Sequence, residues 1–522
     1  MNLTGPNASR RSALKLLAAT AAALPNLAWS AIQPLLPAGK RRTSFIEHND
    51  LPLALETVRD VYGQGPITPI SHFFVRNNLP MPDSEIVADP NTWAVRVIGC
   101  QSEGELTLAD LKLLPTKTVA SVLQCSGNGR VFFDHKPSGS PWAVGAAGCA
   151  LWTGVSVADV LAQFGGPVDG MTYLTGTGGE PLPAGLSPKA LAVERSVPLI
   201  KGLEDCLLVW EMNGEPLPLV HGGPIRLLVP GYFGVNNVKW LRTIAATADE
   251  SSNKIQQSGY RLRPVGESGN ASHPSMYRMP VKSWINSPSA DVQPIAPGRH
   301  RIFGVAFSGD RGVERVEVST DGGKHWQEAN LYGPDLGVNG WRTFSLDTEF
   351  DNGQYRLVSR ATDTHGDIQP ADFPPNQRGY GHNGWRDHGL SISVSEAARP
   401  SQHPEDVVER RISPSVTAGT VAISAGTASR TDSPNLQKYG TSEPTSGHQL
   451  FNNAAQPPCA ACHSLKAAGA RGVVGPNLDE LRPTAQQIRT ALAQGVGAMP
   501  AYADQLSDAE ITALVEFITS TQ

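Results

Sequence analysis

The pattern of apolar and polar positions changes character along the chain. Between residues 40 and 270, strand-like runs such as 93–98 alternate with helical apolar spacings such as Val157, Val160 and Leu161. Thr107 and Asp110 form a predicted capping box, and Leu108, Leu111 and Leu114 follow it at helical spacing. Strands and short helices in irregular order predict an α+β domain over 40–270.

From residue 275 to residue 397 the period becomes that of β-strands. Val316 and Val318 alternate with charged residues, and Asp321-Gly322-Gly323 predicts a hairpin turn directly after them. Short strands separated by turns of this kind predict an immunoglobulin-like β-sandwich over 275–397.

The last quarter of the chain has two parts. Residues 398–440 are rich in Ser, Thr, Ala, Gly and Pro, which predicts a flexible linker. In 441–522, capping boxes at Thr484 with Gln487 and at Ser507 with Glu510 precede apolar residues at helical spacing. A small all-α domain is therefore predicted there, and the chain as a whole is predicted to be multidomain.

Composition narrows the class of protein. The 522 residues include 52 Gly and 42 Pro, which favours strands and loops over long helices. The net charge is −5, so the chain lacks the excess of basic residues that is typical of nucleic-acid-binding proteins.

The first thirty residues have the features of an export signal. Arg10 and Arg11 precede an apolar run at 16–24, and Ala28-Trp29-Ser30 offers small residues at the places that cleavage requires. This resembles a twin-arginine signal over 1–30, cleaved before Ala31, and the run is too short to span a bilayer. An ordinary secretion signal or an N-terminal anchor is the alternative. We expect a periplasmic mature protein with no transmembrane span.

A haem-attachment motif lies near the C-terminus. Cys459-Ala460-Ala461-Cys462-His463 places two thiols for covalent attachment beside an imidazole for the iron. Met499, in a Gly- and Pro-flanked loop, is the predicted sixth ligand, and His448 is its rival. The alternative for such a pair is a zinc or redox site. Together with 475–478, the motif makes 441–522 resemble a class I cytochrome c.

The second chemical signal is Cys125, which ends a predicted strand and is followed by small and polar residues. The pattern predicts an exposed thiol on a tight turn, whereas a lone Cys is more commonly buried and inert. Seven motifs in order make residues 65–397 resemble the sulfite oxidase family. These motifs are at 73–77, 125–130, 141–142, 221–226, 230–234, 238–241 and 376–379.

The resemblance implies a role for each matching residue. Cys125 would be the thiolate ligand of molybdenum, and Arg76, Arg130 and Arg378 would bind the substrate oxyanion. Trp142 would line the pocket, and Tyr260 would be the active-site tyrosine. The residues implied to hold the pterin and its phosphate are His221, Arg226 and Lys239.

Four further residues complete the candidate chemistry. Asn78 stands where many relatives have His, so that position cannot titrate near neutral pH. Cys100, Cys149 and Cys206 are interpreted as buried thiols, although an oxidising compartment would permit one disulfide among them.

By this resemblance the chain would be a sulfite dehydrogenase with molybdenum-molybdopterin and one covalent haem c. Its partners would be a small oxyanion substrate, a second copy in a homodimer, and a soluble cytochrome or terminal oxidase as acceptor. Three alternatives stay open: a sulfane- or thiosulfate-type dehydrogenase, a nitrate reductase, and an electron-carrier cytochrome with a metal-free scaffold.

Overall fold

The computed structural model describes residues 36–49, 52–62, 64–182, 187–289, 294–396, 446–472, 474–496 and 499–521. The predicted signal at 1–30 and the predicted linker at 398–440 lie outside these residues. Within the described part, no helix combines the length and apolar character needed to cross a bilayer.

The first half of the chain contains a small three-stranded sheet and a five-stranded sheet that carries the candidate thiol. The three strands of the small sheet are Phe45–Asn49, Ala54–Thr57 and Val75–Arg76. The strands of the larger sheet pair in the order Glu215–Pro216, Leu207–Met212, Ala147–Ser156 and Thr116–Gln124, with Arg226–Leu228 beside Leu207–Met212. The strand Thr116–Gln124 pairs with Ala147–Ser156 along its full length, which fixes the position of residue 125.

A second five-stranded sheet and several short helices contribute to one apolar core. Its strands pair in the order Gly104–Thr107, Ala94–Ile98, Leu241–Thr247, Tyr173–Gly178 and Glu194–Pro198. The α-helices of this half are Leu108–Leu111, Val157–Ala162, Pro188–Leu191 and Leu199–Asp205. The predicted α+β class is confirmed, and the Thr107 capping box is observed. That helix ends at Leu111, so Leu114 lies beyond it, packed against the core.

Two four-stranded sheets follow and share one apolar core, as predicted for a β-sandwich. The first has the order Lys282–Ser287, Gly298–Phe307, Arg342–Phe350 and Asn330–Tyr332. The second has the order Gln327–Glu328, Val313–Ser319, Gly353–Asp363 and Leu390–Val394. Phe344 from the first sheet and Leu357 from the second are both fully buried in this core. A short helix, Trp385–His388, packs beside them.

The C-terminal segment is mainly helical. Its α-helices are Gly447–Gln449, Leu478–Leu481, Ala485–Gln494 and Asp508–Ser520. Both predicted capping boxes are present, at Thr484 and at Ser507. The all-α prediction misses one detail, because Ser464–Leu465 and Ala470–Arg471 form a two-residue β-pair.

Candidate active site

Cys125 lies one residue beyond the strand Thr116–Gln124, at the start of a tight turn. The Asn128 backbone amide donates to the Cys125 carbonyl at 3.0 Å, and the Asn128 side chain donates to the Gln124 side chain at 3.0 Å. The predicted position at a strand end is therefore observed. The predicted exposure is wrong, because only 8% of Cys125 is accessible and the residue lines a large cavity.

This large cavity has a volume of about 590 Å³ and carries strong positive charge. Five cationic side chains line it: Arg76, Arg130, Lys136, Lys254 and Arg378. Among the described lining residues there is no Asp or Glu to neutralise them. Arg130 and Arg378 are buried among them, and a cationic lining without carboxylates favours an anionic ligand.

Two backbone carbonyl groups hold the Arg130 side chain. Its Nε donates to the Arg378 carbonyl at 3.0 Å, and its Nη1 donates to the Ser140 carbonyl at 2.7 Å. Two glycines leave room for the guanidinium, since a Cβ at Gly127 would lie 2.3 Å from Nη2 and one at Gly139 would lie 2.7 Å from Nη1. Burial lowers the pKa of Arg130, but a guanidinium still carries its charge at neutral pH.

Asn78 joins two of the predicted substrate residues. Its Oδ1 accepts a hydrogen bond from Arg76 Nη2 at 2.9 Å and another from the Tyr260 hydroxyl at 3.0 Å. The Tyr260 ring stacks on Tyr380 with centroids 5.1 Å apart. Burial raises the pKa of Tyr260 to about 12, so its phenol stays protonated near neutral pH. The structure thus places Tyr260 in the large cavity with the arginines.

Arg378 is held from the C-terminal segment. Its Nη1 donates to the carbonyls of Gln494 at 2.8 Å and Gly495 at 2.6 Å, and it lies 3.3 Å from Ser138 Oγ. Its Nε is buried and has no hydrogen-bond partner.

Trp142 corrects the predicted pocket lining. The ring is fully buried against His48, with centroids 4.8 Å apart, and its Nε1 has no partner. Among the described lining residues, the neighbouring Pro141 reaches the cavity and Trp142 does not. The aromatic ring is directed inward because its apolar surface gains more from the core than from a charged cavity.

The predicted pterin residues meet at a second cavity of about 70 Å³. Lys239 Nζ donates to Asn77 Oδ1 at 2.6 Å and to the Val220 carbonyl at 2.7 Å. Arg226 donates to the carbonyls of His221 and Asn237, both at 2.8 Å. Cys125 borders this cavity as well as the large one, so the thiol connects the two.

Buried polar atoms without partners test whether this cavity suits a pterin and its phosphate. Asn77 Nδ2, Ser126 Oγ and Arg226 Nε are all buried and unpartnered. Buried polar groups are normally satisfied, so three such atoms beside one small cavity fit a polar ligand. Arg226 and Lys239 supply nitrogen donors for a phosphate at this cavity.

Two residues of this region were missed by sequence reasoning. Lys40 Nζ lies 2.8 Å from His221 Nε2 and donates to the Phe73 carbonyl at 2.7 Å. Glu180 lines the second cavity, where burial raises its pKa to about 7. Neither belongs to one of the seven motifs, so no local sequence signal marks them.

Burial dominates the titration of the second cavity. It lowers the pKa of Arg226 to about 9 and those of His221 and Lys239 well below their ordinary values. Neighbouring cations lower the pKa of His221 further, so the imidazole is neutral near pH 7, and burial lowers the pKa of Lys40, 2.8 Å away, to about 7.

The haem-attachment residues line the far end of the large cavity. Cys459, Cys462, His463 and Met499 all border it. His463 Nδ1 lies 3.0 Å from the Pro476 carbonyl, which leaves Nε2 for a metal. Gly475 permits this close packing, because a Cβ there would lie 2.5 Å from the His463 ring.

Met499 sits in a short loop closed by paired backbone hydrogen bonds with Val496, at 2.8 and 3.1 Å. Its rival, His448, is exposed and contacts Asn452 at 3.2 Å, away from the lining of the cavity. The geometry therefore favours Met499 as the sixth ligand.

The other three cysteines are free and buried. Burial raises the pKa of Cys149 to about 12 and also raises those of Cys100 and Cys206. The interpretation of Cys100, Cys149 and Cys206 as buried thiols agrees with the structure.

Three family models match the chain. They are the oxidoreductase molybdopterin binding domain at residues 79–255, the Mo-co oxidoreductase dimerisation domain at 273–393, and cytochrome C oxidase, cbb3-type, subunit III at 442–518.

Curated proteins and a solved structure give the same assignment. Mouse mitochondrial sulfite oxidase is 33% identical over 66% of this chain and 64% of its own length. Sulfite oxidase of Arabidopsis thaliana is 32% identical over 64% of this chain and 90% of its own length. The crystal structure of the sulfane dehydrogenase SoxCD from Paracoccus pantotrophus has a TM-score of 0.57 and 26% identity, covering 72% of this chain and 96% of that one.

The matched domains define two cofactors, molybdenum-molybdopterin and haem c. The two cavities provide donors for the first, and the Cys459, Cys462, His463 and Met499 end provides donors for the second.

Proposed function

We propose, from the premise that this chain belongs to the sulfite oxidase family of molybdopterin oxidoreductases, that it is a sulfite dehydrogenase. It oxidises sulfite to sulfate and passes the electrons to the haem of its own C-terminal segment. The observation that carries the proposal is the large cavity, which is lined by Cys125 and five cations and by no described carboxylate. A small divalent oxyanion matches that charge.

The reaction balances as sulfite plus water giving sulfate, two protons and two electrons. The molybdenum cofactor, when bound, supplies oxygen-atom transfer and accepts the electron pair. Arg76 and Arg130 bind and orient the anion, and Asn78 holds Arg76 and Tyr260 in place by accepting from both. The protonated Tyr260 acts as a hydrogen-bond donor at neutral pH.

The continuous cavity supports electron transfer within one chain. Cys125 and the haem-attachment cysteines border the same space, so no second protein has to diffuse to the first acceptor. A haem takes one electron at a time, so the haem is reduced and reoxidised twice per substrate. The final acceptor would be a soluble cytochrome or a terminal oxidase.

Sulfane oxidation is the second candidate, because the SoxCD structure resembles this chain over most of its length. A sulfane sulfur carried on a partner protein is less anionic than sulfite. The five cations at the large cavity therefore favour the free oxyanion.

The deciding experiment adds sulfite, thiosulfate and nitrate separately to purified holoprotein and follows haem absorbance without a mediator. Sulfite should reduce the haem, and nitrate should instead reoxidise it if the enzyme were a nitrate reductase. Haem reduction by thiosulfate with none by sulfite would replace this proposal with the sulfane type. Metal analysis should give one molybdenum and one iron per chain, whereas iron without molybdenum would indicate an electron carrier.

We also propose export and dimerisation. The twin Arg10-Arg11 motif supports folded export to the periplasm. The match to a dimerisation domain at 273–393 supports a homodimer. Replacing Arg10 and Arg11 by Lys should retain the precursor inside the cell, and light scattering should give twice the chain mass.

A further inference from the structure

The end of one helix in the cytochrome segment meets a residue of the large cavity. The helix Ala485–Gln494 ends at the Gly495 cap, and Arg378 Nη1 donates to the carbonyls of Gln494 and Gly495 at 2.8 and 2.6 Å. The carbonyl end of a helix carries a partial negative charge, which stabilises a cation placed there. Arg378 therefore caps a helix of the C-terminal segment, and it also lines the cavity that Cys125 lines.

Ser138 supports this contact from the catalytic region. Its Oγ donates to the Gly495 carbonyl at 3.0 Å and accepts from Arg378 Nη1 at 3.3 Å. Its backbone amide donates to Gln494 Oε1 at 3.4 Å. Ser138 and Arg378 together therefore connect the end of the helix to the wall of the large cavity.

The other edge of the Arg378 guanidinium is open. Nε is buried without a partner, and the described residues provide no hydrogen bond to Nη2. Buried donors are normally satisfied, so the open Nε–Nη2 edge indicates a ligand that binds there. Two neighbouring nitrogens of this kind bind an oxyanion bidentately. The helix carbonyls and an anion can therefore occupy the same guanidinium at the same time.

Arg378 also lies among other cations. Burial lowers the pKa values of Arg130, Lys254 and Arg263, and the charge of Arg378 lowers each of them further. The described lining of the large cavity offers Arg378 no carboxylate. Repulsion between these cations favours displacement of the Arg378 side chain, and the two carbonyls at Nη1 oppose that displacement.

We propose that the end of the helix Ala485–Gln494 positions Arg378 for the substrate, so that the cytochrome segment completes the oxyanion site. The Gln494 and Gly495 carbonyls hold Nη1, and this orients the Nε–Nη2 edge before the anion arrives. Cytochrome docking and anion binding therefore favour each other. Ser138 is a positioning residue, because it acts through Arg378. This inference rests on the proposed function, since it concerns how the same site binds its substrate.

Two substitutions weaken the contact without replacing Arg378. Ser138→Ala removes the hydroxyl group that lies between Gly495 and Arg378, and Gln494→Ala removes the side-chain acceptor of the Ser138 amide. The Gln494 carbonyl that accepts from Arg378 is retained in the second variant. Calorimetry measures sulfate binding to the oxidised full-length holoprotein, and steady-state kinetics give kcat and KM for sulfite.

Both variants should bind sulfate about 2- to 10-fold more weakly, the range for one lost hydrogen bond, and KM for sulfite should rise in the same direction. Saturating substrate restores the docked arrangement, because coupling between two sites is mutual, so kcat should change less than KM. Matched controls are Ser84→Ala and Gln505→Ala, whose exposed side chains should leave both constants unchanged.

Three outcomes would overturn the proposal. They are unchanged or tighter sulfate binding in the two variants, a loss of kcat as large as the rise in KM, which is the mark of a structural defect, and a wild type that binds no sulfate. Failure of sulfite to reduce the wild-type haem would instead overturn the proposed function. If sulfite reduces that haem and the variants bind sulfate as the wild type does, only the positioning of Arg378 by the helix is wrong.

Discussion

The two cavities that meet at Cys125 use cations in different ways. In the second cavity, Arg226 and Lys239 donate to carbonyls and an amide of the same catalytic region, and Glu180 supplies an opposing acid. In the large cavity the described lining has no acid, and Arg378 is held by a segment more than a hundred residues further along the chain. The first arrangement suits a ligand that stays bound, and the second suits one that is exchanged every turnover.

Cys125→Ser tests both cavities at once and should have the largest effect. The thiolate borders the two cavities and is the predicted molybdenum ligand, so substrate-dependent haem reduction should be lost. The haem spectrum after dithionite should be unchanged. Persistent oxidation of the sulfur oxyanion in Cys125→Ser would contradict the whole site.

Arg130→Ala tests the large cavity alone. Loss of this buried cation should lower kcat/KM by about 10²- to 10³-fold, the effect of removing one electrostatic donor. The molybdenum content should not change. Arg96→Ala is the matched control because Arg96 is exposed and pairs only weakly with Glu103, at 3.6 Å.

Lys239→Met should affect the second cavity. Its effect should therefore fall on the molybdenum content and not on the turnover per molybdenum. Molybdenum content should fall about 10-fold, as expected when a supporting contact to a bound group is removed. Turnover per molybdenum should stay near the wild-type value. Lys189→Met, at an exposed lysine, should retain full cofactor content.

Met499→Ala tests the haem end of the large cavity. Loss of the thioether should lower the haem potential and alter the oxidised spectrum, with the molybdenum content unchanged. His448→Ala should leave the spectrum as it is, because His448 is exposed outside the cavity lining. An altered spectrum in His448→Ala with none in Met499→Ala would exchange the two assignments.

The smallest effect concerns Glu180 and pH. Burial raises its pKa from 4.5 to about 7, so the folded protein keeps a proton that the unfolded chain releases. Stability should therefore fall as the pH rises from 4.5 to 7 and change no further above 7. The free energy of unfolding should change by about 3 kcal/mol over this range, at about 1.36 kcal/mol per pKa unit. Glu180→Gln should remove this pH dependence of the thermal midpoint, and Glu105→Gln, at an exposed site, should leave it unchanged.

Sequence patterns predicted the parts of the site that are local. The C-x-x-C-H run, the strand ending before Cys125 and the capping boxes all depend on residues within a few positions, so their spacing is informative. The resemblance to a family then supplied Arg76, Tyr260 and Arg378, which lie far apart in the sequence and meet in one cavity.

Other features depend on packing between distant segments, which spacing does not encode. Cys125 is predicted at the surface, whereas only 8% of it is accessible and it lines the large cavity. Trp142 is predicted in the lining, whereas its ring packs on His48 of the strand Phe45–Asn49. Lys40 reaches His221 from a segment with no motif, and the bond from Arg378 to Gly495 joins two separate domains.

The acid-free lining of the large cavity has a consequence for how the enzyme responds to its surroundings. Guanidinium groups keep their charge from acid to alkaline conditions, and Asn78 has no proton to lose. The positive charge that Arg76, Arg130 and Arg378 give the large cavity is therefore the same in acid and in alkaline conditions. The charge of the substrate does vary with pH, since protonation removes one negative charge from the free anion before it binds.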